Sequence, residues 1–213
     1  MSPWRRADGL LRGRAGPIPW GLALGCVAGY GLLMGTFGGL AGDRAWQVFY
    51  SGLKLPLLLG ATTAMGLPPF FVANSLIGVR RDFAPALRAV IASQAALGII
   101  LAGLAPLTLF WYASSDDYTA AILFNGLMLG IASLGGQVAL RRLYRPLLAR
   151  DPRHRWPLRA WVVIYAFVGI QLGWTLRPFL GSPDQPVRFF RGGEVENAYV
   201  IVARMAWNLV TGR

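Results

Sequence analysis

The sequence predicts an all-α fold: a polytopic membrane bundle of about five transmembrane helices, accompanied by interfacial amphipathic helices. Two observations lead to this fold class. The chain of 213 residues is 55% hydrophobic and only 14% charged, whereas a soluble domain usually carries about 25% charged residues. Its apolar residues also come in long blocks rather than at the amphipathic spacing of a soluble core. The block at 160–176 holds 17 residues between two arginines, close to the ~20 that cross a hydrocarbon core as a helix.

The chain begins with a basic segment, 1–16, in which four arginines face a single acid. Trp4, Leu10 and Leu11 suit a short helix on the membrane surface, and a frayed tail is the alternative. The first transmembrane helix is predicted over about 18–40, a run too long for the ~7–15-residue core of a cleaved signal peptide. Its glycines recur at four-residue spacing, which lets another helix backbone approach closely. They are Gly21, Gly25 and Gly29, followed by Gly31 and Gly35.

The second transmembrane helix is predicted over about 55–77. An amphipathic stretch at 43–51 precedes it, and its aromatic residues mark a membrane interface. We expect Lys54, at the start of the helix, to reach the headgroups, with a buried ion pair as the alternative. We expect Pro68 and Pro69 to break or kink the helix, because each proline lacks a backbone donor and clashes with the preceding turn.

The third and fourth helices, predicted over about 89–112 and 119–140, are joined by a short acidic loop. The fifth helix lies at about 159–177 and ends at an Arg-Pro pair, where the residue before proline disfavours helix. Beyond it, apolar residues at helical spacing predict an amphipathic surface helix over 194–210. The predicted organisation is therefore a basic segment at 1–16, a five-helix domain at 17–183, and a polar linker with the amphipathic helix at 184–213.

Lysine and arginine are concentrated between the apolar blocks, and their distribution predicts the orientation of the chain. The N-terminal segment carries four, the four loops carry two, three, none and seven in chain order, and the segment from Arg177 onward carries five. The positive-inside rule therefore places the N-terminus and the second and fourth loops in the cytoplasm. Five helices put the C-terminal segment outside, and its positive charges argue mildly against this. We interpret the net charge of +12 as a topology signal rather than as a nucleic-acid surface.

The residue types that most enzymes and metal sites use are nearly missing from the predicted helices. No Asp, Glu or His lies within them, Cys26 is the only cysteine and His154 is the only histidine. A site built from several cysteine or histidine ligands is therefore excluded within one chain. We predict no catalytic residue, no cofactor and no metal. Asp116 and Asp117 in the acidic loop leave a lipid-modifying enzyme as an alternative, although neighbouring loop acids are usually only solvated.

Four amides lie inside the predicted helices and have two interpretations: Gln94, Asn125, Gln137 and Gln171. They can line a path for a solute across the bilayer, together with the break at the paired prolines. Alternatively, each amide hydrogen-bonds across helices and fixes their packing, at ~1 kcal/mol each. We favour the second interpretation, because no ionisable group lies in the middle of a predicted helix.

Arginines at the membrane surfaces are the candidate contacts for lipids or partner proteins. Arg177 ends the fifth helix, where it can hold a lipid phosphate or an acidic partner through two hydrogen bonds, or simply anchor the helix at the interface. Arg141, Arg142 and Arg145 lie in the most basic loop. They can bind anionic headgroups, or only set the orientation of the chain.

Four stretches resemble the bacterial branch of the Yip1-like membrane proteins. They are the Tyr-Gly pair at 30–31, SGLKLPLLL at 51–59, LAGLAPLTLF at 101–110 and FVGIQLGWTLRPFLGSP at 167–183. The last is the most distinctive. The resemblance implies a five-helix bundle with a cytoplasmic N-terminus, in agreement with the charge distribution. It implies no established activity and supplies no catalytic residues.

These inferences lead us to expect a non-catalytic integral membrane protein, in the bacterial inner membrane, that serves as a structural or assembly subunit of a larger membrane complex. Its expected partners are anionic lipid headgroups and other membrane-protein subunits, and no nucleic acid. A small-solute or lipid transporter or channel component is the alternative.

Overall fold

The computed structural model of the protein describes residues 2–14, 16–40, 42–181 and 187–189. Within these ranges the chain forms seven α-helices and no strand. Five of the helices are long and apolar enough to cross a membrane, which confirms the predicted fold class. The helices are α1 Pro3–Leu11, α2 Trp20–Gly35, α3 Arg44–Leu76, α4 Phe83–Ser114, α5 Tyr118–Leu143, α6 Arg145–Arg150 and α7 Arg155–Thr175.

The five long helices alternate in direction, so the connections of the chain gather at two ends of the bundle. We call one the basic end: it holds α1, the α3–α4 connection and the α5–α7 connection, with α6 inside the latter. We call the other the far end: it holds the α2–α3 and α4–α5 connections and the segment after α7. In cross-section the close packing runs from α5 to α4, then α2, α3 and α7, while α3 and α4 touch at few positions.

Glycines on α2 and α3 allow the closest of these contacts. A β-carbon added to Gly31 of α2 would lie 2.5 Å from the carbonyl oxygen of Ser51 on α3. One added to Gly35 would overlap the backbone of Val48. The prediction that glycines bring helix backbones together is therefore confirmed for this pair, whose contact lies inside the chain itself.

The second transmembrane helix differs from its prediction in two ways. The amphipathic stretch at 43–51 is not a separate interfacial helix, because α3 runs without interruption from Arg44. The helix also continues through Pro68 and Pro69, so the chain does not break at this pair, and the alternative, a kink, stays a prediction. Proline inside a membrane helix is tolerated where neighbouring helices support the turn. Here the next residue, Phe70, is fully buried and packs against the ring of Trp161 on α7.

The N-terminal segment forms a helix, as one of the two interpretations of its sequence predicted. Ala7 and Leu10 of α1 are buried against the alanine-rich start of α4, while Trp4 stays 70% exposed. Arg142 Nη1 at the end of α5 donates to the carbonyl oxygen of Leu11 at 2.8 Å. The helix is thus docked on the basic end of the bundle. The amphipathic helix predicted over 194–210 lies outside the described residues.

Candidate functional site

Three donors on one face of α3 hold the chain that follows α7, at the far end of the bundle. Gln47 Nε2 donates to the carbonyl oxygens of Pro178 and Phe179, both at 3.3 Å. Ser51 Oγ donates to the Phe179 oxygen, and Lys54 Nζ donates to the Pro178 oxygen at 2.8 Å. Spacings of four and three residues place the donors on successive turns. We call these five residues the far-end clamp.

The clamp corrects the prediction for Lys54. Its side chain is fully buried rather than directed to the headgroups, because the segment after α7 folds back over α3. The alternative, a buried ion pair, is not found either: no carboxylate of the described chain lies within ion-pair distance of Lys54. Instead the ammonium group lies 4.8 Å from the ring centroid of Phe189, in cation–π range. A buried amine in a membrane helix marks a functional or structural centre.

Arg177 immediately precedes the clamp, and the structure shows its local packing. Its guanidinium carbon lies 3.5 Å from the ring centroid of Trp174, one turn earlier in the chain. The side chain is half-buried at the far end. This stacking is what an interfacial anchor makes, and contact with a lipid or partner protein stays a prediction.

A second polar cluster joins three helices in the interior toward the far end. The hydroxyls of Tyr30 on α2 and Thr108 on α4 are 2.8 Å apart and hydrogen-bonded. Asn125 Nδ2 on α5 donates to Tyr112 Oη on α4 at 2.7 Å, and its Oδ1 lies 3.5 Å from Tyr30 Oη. Asn125 is one of the four predicted intramembrane amides, and here it bonds across helices. Sequence analysis did not find its tyrosine and threonine partners.

The other predicted amides lie apart from this cluster. Gln94 Oε1 accepts from Tyr165 Oη at 2.7 Å, which links α4 to α7. Gln137 Oε1 is buried and has no hydrogen-bond partner among the described residues. Gln171 is half-buried on α7. Two of the four amides, Asn125 and Gln94, therefore bond to a tyrosine on another helix, and no hydrogen bond joins one amide to another among the described residues.

An acid–histidine pair at the basic end was missed by the sequence analysis. His154 is fully buried, and its Nε2 lies 3.2 Å from Asp82 Oδ2. A carboxylate only accepts, so Nε2 carries the proton of this bond. Arg150 Nη1 donates to the other oxygen of Asp82 at 3.1 Å. These contacts tie the α3–α4 connection to the α5–α7 connection. Their sequence separation of 68 and 72 residues left no local signal by which to find them.

The remaining basic residues divide by role. Arg142 is used inside the chain, since it holds the last turn of α1. Arg141 and Arg145, the other predicted lipid contacts, are exposed at the basic end. Arg153 donates to Asp151, which lowers the pKa of that carboxyl below its ordinary value. Among the described residues no group of three or more potential metal ligands occurs.

Comparison with known proteins adds no relative: no protein-family model, no curated protein and no solved structure matches this chain. The likeness to Yip1-like proteins therefore stays a prediction from the sequence.

Proposed function

We propose that this protein is a non-catalytic subunit that assembles with another membrane protein through the exposed face of α2. The observation that carries the proposal is a row of glycines at Gly21, Gly25 and Gly29, which we call the open glycine row. All three are exposed, and no atom of the described chain lies within 4 Å of where their β-carbons would be. A second helix can approach this face as closely as α3 approaches Gly31 and Gly35.

Glycine inside a helix destabilises it unless close packing offsets the loss. Each glycine in a helix interior is destabilising by roughly 0.5–1 kcal/mol relative to alanine. At Gly31 and Gly35 the packing of α3 offsets this cost, because a β-carbon there would overlap Ser51 or Val48. At the open glycine row lipid offers no matching gain, since any apolar side chain contacts lipid equally well. A partner helix packed on the row would supply the missing close contact.

The orientation that we propose for the protein follows from the distribution of its lysine and arginine residues. We place the basic end in the cytoplasm and the far end outside, in a bacterial inner membrane, because the positive-inside rule fits this orientation. Anionic headgroups at Arg141 and Arg145 are part of the same proposal. The bonded state of Asn125 and Gln94 supports packing over a solute path, because an amide already committed across helices is a poor lining for a channel.

Purification of the tagged chain from its native membrane in mild detergent tests the proposal. We expect a stoichiometric membrane protein to co-elute, and Gly25→Leu to reduce its recovery by roughly tenfold or more, as a lost helix contact of over ~1.4 kcal/mol would do. Gly103→Leu is the matched control. Gly103 is also an exposed glycine with open space around it, on α4, and it has no glycine four residues away.

Three outcomes would overturn the proposal: a lone chain in mild detergent, equal losses of the partner in both variants, or a partner retained by Gly25→Leu. If the lone chain moved a solute across liposome membranes, and Gln94→Leu or Asn125→Leu abolished that flux, the transporter interpretation would replace it.

A further inference from the structure

The start of α7 places two arginines within cation–π range of one exposed indole. The guanidinium carbons of Arg155 and Arg159 lie 5.9 Å and 5.3 Å from the ring centroid of Trp156. The Trp156 side chain is 51% exposed, and both arginines are exposed as well. The two cations therefore share one aromatic platform at the basic end, at the depth where tryptophan marks the membrane interface.

These two arginines differ from their neighbours in the same connection. Arg150 and Arg153 form ion pairs with Asp82 and Asp151. No carboxylate in the described part of the chain lies within ion-pair distance of Arg155 or Arg159. Their positive charge is thus not neutralised by the surrounding described residues, and it is available to an anion from outside.

Below the arginines, the same side of α7 continues as an apolar surface. Val163 is 55% exposed and Ile170 is 44% exposed. With Trp156 they recur every seven residues, which keeps them on one side of a helix. The distance from Trp156 to Ile170 is about 21 Å at 1.5 Å per residue, more than the ~15 Å depth of one leaflet. Few residues of α7 are buried within the described chain: Pro157, Leu158, Trp161 and Tyr165.

We propose that this surface, Arg155, Trp156 and Arg159 with Val163 and Ile170 below them, binds an anionic phospholipid whose headgroup carries two phosphates. The arginines hold the phosphates, the indole lies at the level of the glycerol esters, and an acyl chain follows Val163 to Ile170. Charge complementarity selects the occupant: two unneutralised guanidinium groups favour a diacidic headgroup over a zwitterionic one. The site is independent of the open glycine row on α2, which belongs to a different face of the bundle.

Native mass spectrometry of the full chain, titrated with diphosphatidylglycerol in detergent, measures the site directly. At ~1 kcal/mol per arginine near a membrane surface, the double variant Arg155→Gln with Arg159→Gln should bind about thirtyfold more weakly. Trp156→Leu keeps the apolar contact and removes the ring, so we expect weakening by about threefold. The matched control is Arg5→Gln with Arg14→Gln, which removes the same charge from exposed positions in and just after α1, a helix that packs on α4 rather than on α7. It should change binding by less than about twofold, since distant exposed charges are screened.

The same titration contains the results that would overturn the proposal. Equal weakening by the two arginine pairs would show a diffuse basic field, and unchanged affinity in the Arg155–Arg159 variant would show no site. Equal affinity for phosphatidylcholine would show an apolar contact only. Displacement of the lipid by inorganic phosphate at equal phosphate concentration would indicate a site for free phosphate. In a separate purification from the native membrane, loss of a co-purifying acidic protein from the variant while lipid stayed bound would indicate a protein site. Equal unfolding midpoints of all variants would show that α7 remains intact.

Discussion

Replacing Asn125 with leucine tests whether the interior polar groups hold helices together. Leucine has the same number and branching of side-chain heavy atoms but removes the amide that donates to Tyr112 Oη at 2.7 Å. Hydrogen bonds between membrane helices average ~0.6 kcal/mol, with a maximum near 1.7 kcal/mol. A buried hydroxyl left without a partner costs roughly 1–3 kcal/mol. Tyr30 keeps its bond to Thr108 in the variant, so one hydroxyl is orphaned. We therefore expect Asn125→Leu to lower the free energy of unfolding by about 2 kcal/mol.

A double-mutant cycle with Tyr112 isolates the pair. Tyr112→Phe removes only the hydroxyl and should cost about 1 kcal/mol. The double variant should cost less than Asn125→Leu alone, because it leaves no hydroxyl without a partner. The assay is reversible unfolding in mixed micelles, followed by the fluorescence change of the tryptophans. Gln171→Leu is the control, a change of amide to leucine at a half-buried position on α7. Additive losses with no coupling, or an Asn125→Leu loss no larger than that of the control, would refute the packing interpretation.

Three further predictions concern other contacts. Gly35→Ala should destabilise the protein by more than about 1 kcal/mol, because its β-carbon would overlap the Val48 backbone. Gly29→Ala should stabilise it by up to ~1 kcal/mol, because alanine favours the helix and meets open space there. The free energies of unfolding of the two variants measure this contrast. Lys54 is the only lysine of the sequence, and its side chain is buried. A membrane-impermeant amine reagent should therefore leave Lys54 unlabelled in the native protein and label it after denaturation. Fast labelling of Lys54 in the native protein would disprove its burial. His154→Gln and Asp82→Asn should each loosen the basic end, and the two losses should be less than additive in hydrogen exchange of the connections.

The fold class was predictable because the bilayer requires a certain length and apolar composition of each transmembrane helix, and both can be read from that segment alone. Five apolar blocks became the five candidate spans, and one of the two glycine rows predicted on α2, Gly31 and Gly35, is the one that α3 contacts. Helix ends were less predictable: the sequence separates the 43–51 stretch from the second apolar block by composition, but the backbone does not separate them. The expected break at Pro68 and Pro69 is not found for a similar reason: a local rule for proline does not include the packing of α7 against the next residue, Phe70.

The candidate sites were predictable only in part, because hydrogen-bond partners are chosen by the tertiary structure. Asn125 and Gln94 were identified as polar groups in apolar segments. No local feature of the sequence identifies the tyrosines to which they are hydrogen-bonded. Lys54 was expected at the headgroups since a long side chain at a helix end usually reaches them. Its burial depends on Pro178, which lies 124 residues away and could not be placed beside it from sequence.

The two glycine rows of α2 are the structural basis of the proposed assembly with a second chain. Gly31 and Gly35 demonstrate what this helix does with an unobstructed backbone, since α3 packs directly on it. The row at Gly21, Gly25 and Gly29 repeats the same spacing on a face that the described chain leaves open. A helix that used glycine only for flexibility would not keep it on one side over two turns. In the proposed assembly, close contact with a second chain would account for both the spacing and the exposure, whereas lipid contact accounts for neither.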